Sequence, residues 1–90
     1  MSETKQARLR KLEYRSRHRG IREMDIVFGR FAEHVLAGLS DTELNDYERM
    51  LELPDDKLFS WATGREQVPD EVRSPLLDDL LSLAHMNPTD

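Results

Sequence analysis

The sequence predicts an all-α fold, a compact bundle of about five short helices in a single domain over residues 1–90. Apolar residues recur at three- and four-residue steps, as they do on one face of a helix. Ser40 with Glu43 forms a capping box, and Ser74-Pro75 joins an N-cap residue to a proline suited to a first helical turn. No segment alternates apolar and polar residues with a period of two, so no sheet is predicted.

Five helical segments are predicted in chain order. The first spans 4–18, with a thin apolar stripe that includes Tyr14, and the second spans 22–39 with the strongest periodicity. The third opens at Ser40 and stops at Pro54, because proline cannot continue a helix. A short fourth helix is capped by Asp55 or Asp56 and ends at Gly64, and the C-terminal helix covers about 74–86 and ends at Asn87-Pro88. The predicted core includes Phe28, Phe31, Leu51, Leu58, Trp61 and Leu80.

Charge is unevenly distributed along the chain. Residues 1–30 hold nine Lys/Arg against four Asp/Glu, whereas residues 31–90 hold four against fourteen. The basic N-terminal arm, about 1–18, is therefore expected either to fold back on the acidic body or to bind an acidic surface or nucleic acid.

Several classes of site are not expected. The chain has no cysteine, and His18, His34 and His85 lack the spacing of metal ligands, so we expect no metal site. There is no glycine-rich phosphate loop and no nucleophile elbow. We therefore expect neither an enzyme nor a protein with a cofactor of its own. The absence of a long apolar run argues against a membrane-spanning helix, and the N-terminus lacks the apolar stretch of a signal peptide.

One segment, residues 19–25, combines features that a helix junction alone does not require. We call it the motif corner; its sequence is Arg-Gly-Ile-Arg-Glu-Met-Asp. A glycine at such a junction permits a tight turn and leaves a flat surface that a partner can approach. Arg19 offers a planar pair of donors for a carboxylate or carbonyl, and Glu23 offers an acceptor. Without a partner, the same residues would form a helix–turn–helix corner with a local Arg19–Glu23 pair.

The motif corner resembles the RGxxE motif of the flavinylation factors of succinate dehydrogenase. The similarity continues through Asp25 and the sequence Phe-Ala-Glu-His at 31–34, through Leu-Ser-Asp at 39–41 with Glu43, and through Asp-Lys-Leu-Phe-Ser-Trp at 56–61. It covers roughly residues 8 to 85. Motif, order and spacing together make the resemblance specific.

The resemblance implies a chaperone-like assembly factor. Such a protein binds the flavoprotein subunit of succinate dehydrogenase, with the fumarate reductase flavoprotein as a second client in some bacteria, and promotes covalent attachment of FAD to a client histidine. The attachment is regarded as autocatalytic within the client. Carried over to this chain, the partner-binding residues are Arg19, Gly20 and Glu23, with Asp25 and His34 at neighbouring polar positions.

An alternative function is a small nucleic-acid-binding or antitoxin-like regulatory module that uses the Arg-rich arm. The acidic body and the absence of aromatic residues interleaved with a basic face argue against it. We therefore expect a protein partner, no nucleic acid and no insertion into a membrane. We also expect a monomer when free, because no long heptad run is present, and a cytoplasmic location without a mitochondrial presequence.

Overall fold

A computed structural model describes residues 4–86, with side chains over 4–84. Its α-helices are α1 (Lys5–Arg17), α2 (Arg22–Val35), α3 (Asp41–Leu51), α4 (Asp55–Ala62) and α5 (Pro75–Met86). Two short 3-10 turns lie at Leu36–Gly38 and Asp70–Val72, and no strand occurs within 4–86. The predicted all-α class is confirmed. The predicted end at Asn87-Pro88 lies outside the described residues.

Side chains cap the helix starts where the sequence indicates. Ser40 Oγ accepts from the backbone N–H of Glu43 at 3.2 Å, and the Glu43 carboxylate accepts from the Ser40 N–H at 2.9 Å. These hydrogen bonds from Ser40 favour the charged carboxylate and lower the pKa of Glu43. Ser74 Oγ accepts from the Leu77 N–H at 3.1 Å in the same manner. The capping box and the serine–proline start are both confirmed.

Two boundaries differ from the prediction. The second helix is regular only to Val35, and a 3-10 turn leads to Leu39, which is extended and 7% exposed. Neither Asp55 nor Asp56 caps α4, because the N-cap position belongs to Pro54, whose carbonyl accepts from the Leu58 N–H at 3.0 Å. The side chain of Asp55 is instead paired with an arginine from the motif corner.

The core lies where α2 contacts α1, α4 and α5 and where α3 packs against α1 and α5. Five of the six predicted core residues are buried, with exposed fractions of 3% or less; they are Phe28, Phe31, Leu51, Leu58 and Leu80. Trp61 is only partly buried and packs against the edge of the core. Its indole Nε1 is nevertheless buried and finds no hydrogen-bond partner in the described part of the chain.

Tyr14 does not belong to the apolar stripe of α1. It is 64% exposed and stacks on His18, with ring centroids 4.0 Å apart. The buried face of α1 instead carries Leu12 and Ser16. The prediction failed because Tyr14 lies two residues from each of these, and a helix turns by about 200° over two residues.

A buried polar pair joins α1 to α3. Ser16 Oγ lies 2.6 Å from the Tyr47 hydroxyl and 2.7 Å from the Leu12 carbonyl oxygen. Because the serine proton is directed to that carbonyl, the tyrosine hydroxyl donates to Ser16. Burial raises the pKa of Tyr47 to about 12, although the nearby positive charge of Arg19 opposes the shift.

Candidate partner-binding corner

The junction between α1 and α2 is made by a glycine in a left-handed conformation. Gly20 has φ +114°, which side-chain-bearing residues rarely adopt, and its surface is exposed. His18 ends α1, and Ile21 is the extended residue whose carbonyl accepts the first bond of α2, from the Asp25 N–H at 2.9 Å. The motif glycine therefore sets the direction in which α2 leaves α1.

Arg19 points into the protein, and its side chain is only 9% exposed. Its Nη2 donates to the Leu53 carbonyl at 2.6 Å and its Nη1 donates to the Leu51 carbonyl. Leu51 ends α3, where helical carbonyls lack partners within the helix, and Leu53 lies two residues beyond it. The guanidinium carbon also lies 5.1 Å from the centre of the Phe28 ring, within the range of a cation–π contact.

Asp55 provides a third hydrogen-bond acceptor for the Arg19 side chain. Its Oδ1 accepts from Arg19 Nε at 2.8 Å, and its side chain is 15% exposed. The expected local pair between Arg19 and Glu23 is therefore wrong, because the guanidinium is occupied by α3 and α4. A Cβ placed on Gly20 would lie 3.5 Å from Asp55 Oδ2, so the motif corner rests directly on the start of α4.

Asp25 also binds within the corner. Its Oδ1 accepts from the backbone N–H of Arg19. This contact joins the first turn of α2 to the segment before Gly20, and Asp25 is half-buried. Two carboxylates, those of Asp25 and Asp55, thus hold the backbone and the side chain of the same arginine.

Glu23 and His34 are the predicted site residues whose side chains are exposed. Glu23 lies in the first turn of α2 and His34 in its last turn. Their separation of eleven residues is close to three helical turns, so they share a face about 16 Å apart along the axis. The structure thus brings Arg19, Gly20 and Asp25 together, places Glu23 beside them, and leaves His34 at the far end of the helix.

The basic arm contacts the acidic body through several of its cations. Arg8 Nε donates to Glu48 Oε1 at 2.9 Å, and Arg8 Nη2 donates to Asn45 at 2.7 Å. Arg15 pairs with Glu52 at 3.1 Å. These contacts join α1 to α3 and correspond to the folded-back arrangement rather than a free basic arm.

Asp55 is the corner residue that sequence reasoning missed, since it was expected to be an N-cap. A usable signal was present at the end of α3. The sequence Leu-Glu-Leu-Pro at 51–54 has no glycine or asparagine to close the helix, so its carbonyls need a donor from elsewhere in the chain. An arginine is the side chain best suited to bridge such carbonyls to a nearby carboxylate.

Over the described residues, no group of three or more His, Asp or Glu side chains is arranged to hold a metal ion. Among the helices described between residues 4 and 86, none combines the length and apolar character needed to cross a membrane.

A small helical protein with an Arg-Gly corner at its first helix junction corresponds to a known family. Residues 10–84 match the sequence profile of the family described as flavinator of succinate dehydrogenase, and the chain belongs to that family. The sequence resemblance drawn from the motif is thereby confirmed.

Individual relatives carry related names. An FAD assembly factor SdhE from Acetobacter pasteurianus is 42% identical over 71 residues, which cover 79% of this chain and 65% of the relative. Another protein of that name, from Xylella fastidiosa, is 39% identical and covers 88% of this chain and 80% of the relative. A mitochondrial succinate dehydrogenase assembly factor 2 from Yarrowia lipolytica is 38% identical over 92% of this chain, with 58% of its own length covered. The chain thus spans about half to two-thirds of the length of most of the relatives it matches.

Proposed function

We propose that this chain is an assembly factor that binds the flavoprotein subunit of succinate dehydrogenase and promotes covalent attachment of FAD to it. The match over residues 10–84 to the flavinator family is the observation that carries the proposal. The names of the bacterial and mitochondrial relatives support the same activity.

The motif corner supplies a surface suited to a protein client. Gly20 presents backbone without a side chain, and the exposed Glu23 lies three residues further on, in the first turn of α2. A donor on the client can reach Glu23 while the client's own surface approaches Gly20 closely. His34 lies further along the same helical face and extends the proposed docking surface along α2.

In this proposal the client, rather than the assembly factor, holds the FAD and performs the bond-forming step. The chain contributes binding energy, which favours the client conformation in which flavin and histidine are correctly placed. Accordingly, it needs no cofactor of its own and is not an enzyme. The fumarate reductase flavoprotein is a second candidate client, the free chain is a monomer, and the proposed location is the cytoplasm.

The test is the covalent flavin of the client in cells that lack this protein and are supplied with variants. Glu23→Gln removes the charge while keeping the shape, and Glu33→Gln is the matched control on another exposed turn of α2. Losing a charge-assisted hydrogen bond should weaken client binding about tenfold or more for Glu23→Gln, whereas Glu33→Gln should behave as wild type.

The readout is in-gel flavin fluorescence of the denatured flavoprotein subunit, together with succinate oxidation. Glu23→Gln should lower both measurements when the factor is expressed at limiting levels. Normal fluorescence in cells without the protein would refute the assembly-factor function. Salt-dependent RNA binding by the purified chain would instead favour the regulatory alternative.

A further inference from the structure

We infer that Asp55, at the start of α4, is a positioning residue for the motif corner and acts on client binding through Arg19. The inference rests on the proposed function. It assigns a role to a carboxylate outside the motif, 32 residues beyond Glu23 in the sequence. Asp55 does not need to touch the client.

The Arg19 side chain is held by three acceptors inside the protein. It is 9% exposed and that of Asp55 is 15% exposed, so solvent screens their 2.8 Å contact only weakly. The Nη1 and Nη2 groups of Arg19 also donate to the carbonyls of Leu51 and Leu53. Because each guanidinium nitrogen has an acceptor inside the protein and the side chain is only 9% exposed, we expect the motif arginine to act inside the protein.

Backbone contacts link Arg19 to the exposed residues of the corner. Arg19 is joined to Gly20 by one peptide bond, and its N–H donates to Asp25 in the first turn of α2. A Cβ atom built on Gly20 would lie 3.5 Å from Asp55 Oδ2. Asp55 thus binds the Arg19 side chain through Oδ1, and its Oδ2 lies beside Gly20. The placement of Gly20 and Glu23 depends on this carboxylate.

Asp55 differs from an acidic residue that only interacts with the N-terminus of a helix. Asp55 and Asp56 both lie in the first turn of α4, where an acidic side chain interacts favourably with the positive end of the helix dipole. Asp56 is exposed, whereas Asp55 carries the contact to Arg19. Asp56→Asn therefore removes a comparable dipole interaction without disturbing the corner, and it is the matched control for Asp55→Asn.

Two measurements on the full chain test the inference. Hydrogen exchange of the Arg19 amide should accelerate at least about tenfold in Asp55→Asn relative to Asp56→Asn, because the bond to Asp25 opens more often. Affinity for the purified flavoprotein subunit lacking covalent flavin, measured by titration calorimetry, should fall about tenfold in the same comparison. Asp55→Glu, which keeps the carboxylate, should recover part of both effects.

A double-mutant cycle with Glu23→Gln distinguishes positioning from simple stability. If Asp55 acts by placing Glu23, the losses in client affinity should be strongly non-additive, while the losses in unfolding free energy should add. Equal exchange and equal affinity for Asp55→Asn and Asp56→Asn would overturn the inference. If the wild-type chain failed to bind the flavoprotein subunit, the proposed function would fall, and the inferred effect on client binding with it. Exchange at Arg19 would then report separately on the link between Asp55 and the corner.

Discussion

Replacing Gly20 with alanine tests whether the conformation of the motif corner, rather than its chemistry alone, is required. At φ +114° an alanine is strained, and residues held in sparsely populated backbone regions cost about 1–3 kcal/mol. The added Cβ would lie 3.5 Å from Asp55 Oδ2, which is ordinary van der Waals contact, so no clash adds to this cost. The whole penalty should therefore come from the backbone.

The assay is chemical denaturation followed by circular dichroism, with client flavinylation measured on the same variants. We expect Gly20→Ala to lose about 1–3 kcal/mol of unfolding free energy while remaining folded, since a domain of this size has about 5–13 kcal/mol. Each kcal/mol corresponds to roughly 4–8 °C in melting temperature.

Two other glycines provide matched controls. Gly64 also has a positive φ, +78°, with open space around it, so Gly64→Ala should lose similar stability far from the corner. Gly38 does not have a positive φ, and a Cβ built on it meets no atom within 4 Å. Gly38→Ala should therefore be neutral or slightly stabilising. Only Gly20→Ala should also reduce client flavin, and Gly20→Arg should reduce it further by blocking close approach. The reasoning would be refuted if Gly20→Ala were as stable as wild type, or if Gly64→Ala lowered client flavin equally.

Three further predictions follow from the packing and the charges. Phe31→Ala should cost roughly 3–5 kcal/mol, because the ring is 3% exposed and stacks on Tyr47; a melting curve like that of wild type would contradict this. Raising the pH from about 10 to 12 should lower the free energy of unfolding by up to about 2–3 kcal/mol, because the folded state retains the Tyr47 proton that the unfolded state loses. Denaturant midpoints across this range, measured in a Tyr14→Phe background, check this prediction. Arg8→Gln should cost about 0.5–1 kcal/mol by breaking the pair with Glu48, whereas the exposed Arg10→Gln should leave melting unchanged and alter only the salt dependence of client association.

Local signals in the sequence were sufficient for much of the fold. The capping box at Ser40 and the Ser74-Pro75 start depend on hydrogen bonds across three residues, which a sequence pattern specifies directly. The apolar spacing of α2 likewise identified Phe28 and Phe31 as core residues. These features are predictable because the interacting groups are close in sequence.

The features that were missed depend on contacts distant in sequence. Asp55 satisfied every local requirement of an N-cap, yet its carboxylate binds Arg19, 36 positions away, and Pro54 takes the cap position. Similarly, Arg19 was expected either to bind a partner or to pair with Glu23, its neighbour in sequence. Its true acceptors, at the end of α3, become neighbours only through the tertiary fold.

Because the acceptors of Arg19 lie far along the sequence, the motif corner can form only after later helices have folded. The acceptors of its side chain lie 32 to 36 residues further along, so α1 and α2 alone cannot complete the corner. A nascent chain that ends before α4 lacks the Asp55 carboxylate, and a short peptide carrying only the motif lacks all three acceptors. Under the proposed function, client recognition by this corner requires a chain in which α1 to α4 have already assembled.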